Sequence, residues 1–389
     1  MINATDKTSE LIRDDDFIVY VESALAGSKV KRNSIEELSG NINRVKRLSI
    51  SLTTGDTSLI VKQVPEAGRL AGYPTLFFSS DRLAFDHHWL TTAAAVLKEE
   101  NGQDLKVPRI LHYDSDKRIM IMEDLGRMSL SEALPKLREA KEVLVDLLEK
   151  AGRKLASIHT QAREAQEKRA VYNKAASDNR PYLFSYHIKE PDMVSSIWKD
   201  NGAQGISLDQ KRQLQKAFLE AHRHRLEPIL DRLSNSFSEE DSDKPDIKVY
   251  CHGDLHTGSI MLFEQTQKSC LAIIDAEFCD LGPPGFDPGV LTAHLIAELL
   301  VLGYSQTDTR AILASFPSAY MKCLEAYTEP KEELVLTLIR HTGAELLRRL
   351  LGPAGFNVTL SKEQFEELLE KSICLLTRPE VHAGEYLHG

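Results

Sequence analysis

The apolar residues of this chain change their spacing near Gly126, and that change limits the folds open to it. Before it, "VKRLSISLTTGDTSLIVKQV" (Val45–Val64) alternates around a Thr-Thr-Gly-Asp turn, the pattern of strand, turn and strand. "RILHYD" and "RIMIMEDLG" read as two more strands. Only "DFIVYVESAL" and the stretch from Ser79 to Gly102 carry helical spacing there. The second has Ser80 as its expected N-cap and Asn101-Gly102 as its stop. Beyond Gly126 helical periodicity takes over. It is broken by the polar run Ser234–Asp246, read as a solvated loop, and by two short strand-like pieces, "KVYCHG" and "CLAIIDAEF". The class is α+β: a small β-rich lobe over 1–126 and a larger, mostly helical lobe over 127–389. A length of 389 residues, more than one core usually covers, agrees with two lobes. Ligand clefts favour the junction between them.

Charge narrows the partners. Against 48 Lys and Arg stand 58 Asp and Glu, a formal net charge of -10. No nucleic acid and no anionic membrane is expected as a partner, and a polyanionic ligand needs a local cluster of cations. Five cysteines, an odd number without a CxxC pair, predict reduced thiols in a cytoplasmic enzyme rather than a disulfide frame or zinc ribbon. The acidic opening "MINATDKTSELIRDDDF" has no apolar core of a signal or transit peptide. The longest apolar run, Val290–Tyr304, contains His294 and Glu298. It is too short and too polar to span a bilayer and predicts a buried helix.

Chemistry concentrates in "HGDLHTGS", His252 to Ser259. Three readings of it are open. His252, Asp254 and His256 alternate, so on a strand they would share a face and suit zinc or iron, although no further His-rich segment completes a shell. The glycines allow a purely structural turn. The third reading is phosphoryl transfer, which needs a lysine on an early strand, a loop over phosphates, a hinge, and an acidic segment after the catalytic loop. Lys62 sits in the strand pattern "SLIVKQV". "LSGNINRV" (Leu38–Val45) supplies Gly40, Asn41 and Asn43, whose amides could cradle phosphates. Met122 to Leu125, through Glu123 and Asp124, could offer backbone groups to an adenine base. "LAIIDAEF" ends an apolar strand with Asp275 and Glu277, two carboxylates at i and i+2 that would share one strand face and suit Mg²⁺.

These strings together resemble the methylthioribose kinases of the aminoglycoside phosphotransferase and choline kinase superfamily. The match runs through "SGNINRV", "LIVKQ", "IMIMEDL", "HGDLHTGSIM…IIDAEFCDLGPPGFDPG" and "GAELLRRLLG" (Gly343–Gly352). The resemblance implies a protein-kinase-like two-lobed fold, ATP and Mg²⁺ as cofactors, and a small alcohol or sugar as acceptor; it allows a homodimer. It implies that Asp254 is the catalytic aspartate beside the sugar hydroxyl. Asn43, Lys62, Glu123, Asp124, Leu125, Asp275, Ala276 and Glu277 would form the nucleotide site, with Asp275 and Glu277 holding the metal. Arg348 and Arg349 would reach the acceptor or the transferring phosphate, filling the need for local cations. Helical neighbours point about 100° apart, so one of the two is expected to face the cleft and the other to pair structurally. Asp287 and His252 are expected to brace the loop.

The chain also departs from those kinases. Asp275-Ala276-Glu277 stands where they have Asp-Pro-Glu, and "GPAGFNV" where they have a Gly-x-Ala-His-Val-like run. Asp86 stands in place of a helix glutamate that would pair with Lys62; one methylene shorter, it calls for a closer helix or a bridging water. Residues 179–198 match poorly. A kinase of another amino-sugar, amino alcohol or natural product, and a non-catalytic nucleotide-binding relative, therefore remain alternatives.

Overall fold

The computed structural model describes residues 14–26, 28–31, 35–38, 43–52, 55–65, 68–69, 77–99, 104–167, 173–198, 205–237, 248–265, 268–324 and 331–386. A small lobe built on an antiparallel sheet precedes a larger helical one. The first helix, α1 (Asp14–Ala24), leads into strands β1 (Lys29–Val30), β2 (Glu36–Leu38), β3 (Arg44–Leu52) and β4 (Gly55–Gln63). A separate small pair, β5 (Gly68–Arg69) and β6 (Phe77–Phe78), precedes helix α2 (Arg82–Glu99). Then come β7 (Leu105–Lys106), β8 (Ile110–Asp114) and β9 (Ile119–Glu123). The main sheet runs β1-β3-β4-β9-β8, with β2 also on β3.

Alternation along β4 and β9 explains how this sheet is covered twice. Leu59, Val61, Ile119 and Ile121 face one side and pack with Phe17 and Val21 of α1 and Leu48 and Ile50 of β3. Lys62, Met120 and Met122 face the other side, toward α2. Full burial of each such apolar side chain contributes about 1.5–3 kcal/mol.

The larger lobe begins with β10 (Met128–Ser129) and α3 (Leu130–Leu137), which Ser129 and Glu132 start as a capping box. Helix α4 (Lys141–Glu167), four short helices within 174–196 (α5 to α8), and α9 (Leu208–Asn235) follow. β11 (Val249–Cys251) pairs with β14 (Asp280–Gly282), while β12 (Ile260–Gln265) and β13 (Lys268–Ile273) form a hairpin. Helices α10 (Phe286–Leu302), α11 (Gln306–Leu324), α12 (Lys331–Leu351) and α13 (Lys362–Thr377) complete it. β7 lies parallel on β13, so a strand preceding β8 joins the sheet order β10-β12-β13-β7 of the larger lobe. The alternation reading missed this two-residue piece because it is too short to show a period.

Most expected elements recur. α10 is buried along nearly its whole length, and Gly303 ends it in the left-handed conformation, φ 64. No described helix is long and apolar enough to cross a membrane. α2 starts at Arg82, and its first turn is closed by Asp81, one residue later than the Ser80 expected from the sequence. Its expected stop at Asn101-Gly102 lies outside the described residues, as do Thr53 and Thr54 of the β3–β4 turn. The polar loop expected from Ser234 begins later, because α9 continues to Asn235 and Phe237 is buried against the core.

Candidate active site

The HGDLH segment is a loop leaving β11, and three buried contacts fix it. Asp287, in the first turn of α10, accepts the backbone N–H groups of His252 at 2.6 Å and Gly253 at 3.1 Å. Its second support is His159 of α4, whose Nε2 lies 3.0 Å from Asp287 Oδ2. His252 Nε2 donates to Ile274 O at 2.9 Å, tying the loop to the residue before Asp275, and the ring meets the edge of Trp89 at 5.1 Å. The sequence-based bracing roles of Asp287 and His252 agree with these bonds. Gly253 has φ 93, and a Cβ there would stand 2.1 Å from Phe278 O, so only glycine fits. The two imidazoles face different neighbours, Ile274 for His252 and His294 for His256, so they do not form the shared metal face considered from the alternation.

Asp254 projects from this loop, partly exposed. Its Oδ1 accepts from Arg349 Nη2 at 3.0 Å and from Arg348 Nη2 at 3.4 Å. Both arginines therefore reach it, against the expectation that only one would. The reason is Glu345, one turn earlier on α12. It accepts Arg348 Nε at 2.6 Å and Arg349 Nε at 2.7 Å, pulling two side chains that leave the helix at different angles onto one line. Burial would raise the pKa of Glu345, but the two guanidiniums outweigh it and hold the carboxyl well below the usual range. Burial also works on Asp254, where His256 and the two arginines more than compensate and lower its pKa.

A second cluster lies where the sheet of the small lobe meets the segment after β13. Lys62 Nζ donates to Asp86 Oδ2 at 2.6 Å and to Asp275 Oδ1, and stands 3.5 Å from Glu277 Oε2. Burial opposes its charge, but Asp275, Asp86 and Glu277 prevail and raise its pKa well above that of an ordinary lysine. Asp86 thus reaches Lys62 directly, without the bridging water that its shorter side chain allowed. Its other oxygen accepts Ala276 N at 2.9 Å, so the N–H of Ala276 is already engaged.

Asp275 and Glu277 are not on a strand. β13 ends at Ile273, and Asp275 takes the left-handed conformation, φ 69. The expected shared strand face is therefore replaced by a turn that both carboxylates leave toward Lys62. Asp275 is half-exposed and Glu277 is buried. Burial pushes the Glu277 carboxyl up. A non-glycine residue in this region costs on the order of 1–3 kcal/mol and persists where the surroundings hold it; here Lys62 does so.

Asn43 Nδ2 donates to Glu277 Oε2 at 2.7 Å, and its Oδ1 accepts Arg82 Nε and Nη2 at 3.1 and 2.8 Å. Arg82 itself comes within 3.4 Å of Glu277. The rest of the expected phosphate loop, 39–42, lies outside the described residues. Along Met122–Leu125, Asp124 is drawn onto β3 and β4. It accepts Arg47 Nε at 2.7 Å and Gly126 N at 3.1 Å, and Ser58 Oγ also donates to it. Glu123 N donates to Arg109 O at 2.9 Å, and Leu125 is buried. The backbone of Glu123 and the side chain of Asp124 thus hold the segment in place.

Sequence reasoning did not single out Arg82, His294 or Glu345. Glu345-x-x-Arg348-Arg349 carries the i, i+3 and i, i+4 spacing of an acid serving two bases, a signal present in the chain. Arg82 gave no such signal.

Behind the loop, Glu298 of α10 accepts Thr257 Oγ1 at 2.6 Å and Ser131 Oγ at 2.9 Å, and burial pushes its carboxyl up to about 7. A carboxyl with a raised folded pKa keeps its proton in the fold after the unfolded chain has lost it. Stability therefore falls as pH rises from about 4.3 toward that value. Glu298→Gln removes the slope. Relative to the parent, it is expected to gain roughly 1–3 kcal/mol between about pH 5 and about pH 8, read from urea unfolding midpoints. An unchanged difference between the two proteins over that range would contradict it.

Comparison with known proteins adds to this geometry. Residues 35–309 match the model of a phosphotransferase enzyme family. A methylthioribose kinase of Bacillus velezensis is 24% identical over 367 residues, covering 90% of this chain and 86% of that protein. One of Bacillus cereus is 34% identical over 123 residues, 26% of this chain and 30% of that one. The solved choline kinase of Cryptosporidium parvum Iowa II is 14% identical and superposes with a TM-score of 0.54, covering 95% of this chain and 99% of its own. At that identity the likeness shows the protein-kinase-like fold.

Proposed function

This chain belongs to the phosphotransferase enzyme family, and from that premise we propose that it is an ATP-dependent kinase acting on a small neutral sugar of the methylthioribose type. The observation that carries the reading is Asp254, kept ionised between two guanidiniums and tied through His252 and the Ile274 carbonyl to the segment of Asp275. The methylthioribose kinase of Bacillus velezensis, similar along most of the chain, points to the acceptor.

In this reading the cleft divides a lobe over 1–126 from one over 127–389. The backbone from Met122 to Leu125 receives the adenine, and Lys62, with Asn43 at the end of its loop, receives the phosphates. Asp275 and Glu277 are hard oxygen donors gathered at one cation, Lys62, and would hold Mg²⁺. When bound, that ion supplies charge neutralisation on the phosphate oxygens. Ala276, between them, is fixed by Asp86 and sets the turn. Asp254 orients the acceptor hydroxyl, the anomeric one in a methylthioribose-type sugar, and takes its proton as the new oxygen–phosphorus bond forms and the bond from the γ-phosphorus to the departing ADP breaks. Arg348 and Arg349 stabilise the charge that develops beside it. Rate then comes from positioning and electrostatics, since little covalent work falls to the protein.

Charge favours a neutral acceptor over a cationic one. Two guanidiniums flank Asp254, and Glu345 already accepts from both of them and lies 3.3 Å from His294. A cationic amine would need an unspent carboxylate there. The experiment is ADP release at millimolar ATP and Mg²⁺ with methylthioribose, glucosamine or choline as acceptor. Turnover is expected with methylthioribose. Turnover of glucosamine or choline alone would overturn the neutral-sugar assignment, and ADP release with none of them would favour a nucleotide-binding protein without transferase activity.

A further inference from the structure

His256 stands beside Asp254, and the reading above leaves its polar edge unused. Its Nδ1 accepts Gly258 N at 2.9 Å, so that nitrogen carries a lone pair and Nε2 carries the hydrogen. The Gly258 N–H, by occupying Nδ1, keeps this tautomer in place. Nε2 lies 3.7 Å from Asp254 Oδ2, too far for a hydrogen bond between them. The two side chains are 22% and 29% exposed, so both reach solvent. Their separation suits two oxygens carried on neighbouring carbons.

The ring is held from behind. His294 of α10 stacks on it, centroids 5.0 Å apart at 22°, and is itself fixed by Glu345, 3.3 Å from His294 Nε2, and by the edge of Phe356 at 5.1 Å. A Cβ at Gly258 would stand 2.7 Å from His256 Cε1 and 2.9 Å from Asn357 Nδ2, so the Asn357 amide closes over the same turn. Phe356 and Asn357 belong to "GPAGFNV", the stretch where this chain departs from the methylthioribose kinases it resembles.

We propose that His256 is a specificity-determining residue that contacts the acceptor: its Nε2–H donates to the oxygen next to the hydroxyl that Asp254 orients, selecting acceptors with vicinal oxygens. The assignment rests on the kinase reading above and deepens it. His256 is a hydrogen-bond donor here and moves no proton. Donor sites of this kind discriminate strongly, because a bound acceptor that lacks the oxygen shields the N–H from water and leaves it unpaired.

The test compares methylthioribose with 2-deoxy-methylthioribose under identical ATP and Mg²⁺. The parent enzyme is expected to prefer the first by roughly tenfold or more in kcat/KM. His256→Phe should bring the ratio close to one, with the loss largely in KM. His256→Gln, which keeps a donor near the Nε2 position, should retain most of it. Acceptor affinity measured by calorimetry with a non-hydrolysable ATP analogue should follow the same order. Equal use of the two sugars by the parent enzyme overturns the proposal without any variant, and so does undiminished discrimination by a folded His256→Phe enzyme. Absence of parent turnover on methylthioribose would instead refute the acceptor assignment. The same comparison, made on the best sugar found and its deoxy analogue, then decides the role of His256, and absence of any sugar turnover removes it.

Discussion

An Asp254→Ala enzyme is expected to lose roughly 10³-fold in kcat while its dissociation constant for ATP changes by less than about threefold. The split follows from where the bonds go. Asp254 is held by Arg348, Arg349 and the loop, whereas Lys62 and Asn43 bond to Asp86, Asp275 and Glu277. Removing the first carboxylate therefore leaves the second cluster standing. Steady-state ADP release and a fluorescence titration with a labelled ATP analogue read the two quantities. A parallel loss of nucleotide affinity would mean that Asp254 belongs to the nucleotide site. Near-wild-type turnover would mean that another group accepts the proton. Asp254→Asn keeps the hydrogen-bonding shape for the arginines and should fold where alanine does not, with a comparable loss in kcat.

Glu345→Leu is expected to cost about 3–5 kcal/mol of stability. The carboxylate is buried among Arg348, Arg349 and His294, and its removal leaves two guanidiniums short of compensation in a water-poor setting. A protein of this kind has only about 5–15 kcal/mol in hand, so the unfolding midpoint in urea should fall sharply. Glu345 has a depressed folded pKa, so its stabilisation is present at neutral pH and is lost only as pH falls below about 4.3 and on through the folded value. Glu345→Gln, which keeps one acceptor oxygen, should fall between leucine and the parent. A loss under about 1 kcal/mol for leucine would show that the arginines find other partners and that Glu345 does not set their direction. The same substitution frees His294, so the stack behind His256 should loosen too.

The position of Glu345 illustrates what was legible in the chain and what was not. Its spacing to both arginines was written in the helix, as a local relation of three and four residues. That both arginines would then meet Asp254, about 95 residues away along the chain, was not. Lys62 shows the same division. Alternation placed it on a strand, facing away from Leu59 and Val61, but its bond to Asp86 required α2 to lie over that face. Asp275 and Glu277 were recognised as a pair, and their shared strand face was then replaced by a left-handed turn that strand periodicity cannot foresee.

Periodicity, composition and short motifs determined the longer strands and helices, the change of apolar spacing near Gly126, and which carboxylates, amides and cations were available for chemistry. Those properties depend on neighbours a few residues apart, so they are written along the chain. Tertiary structure decided which of those groups meet: Arg348 with Arg349 on Asp254, Asp86 with Lys62 and Ala276, His256 on His294. Such meetings depend on how α2, α10 and α12 pack against a loop far from them in sequence, and on burial, which sets the charge each group keeps. No local spacing encodes either.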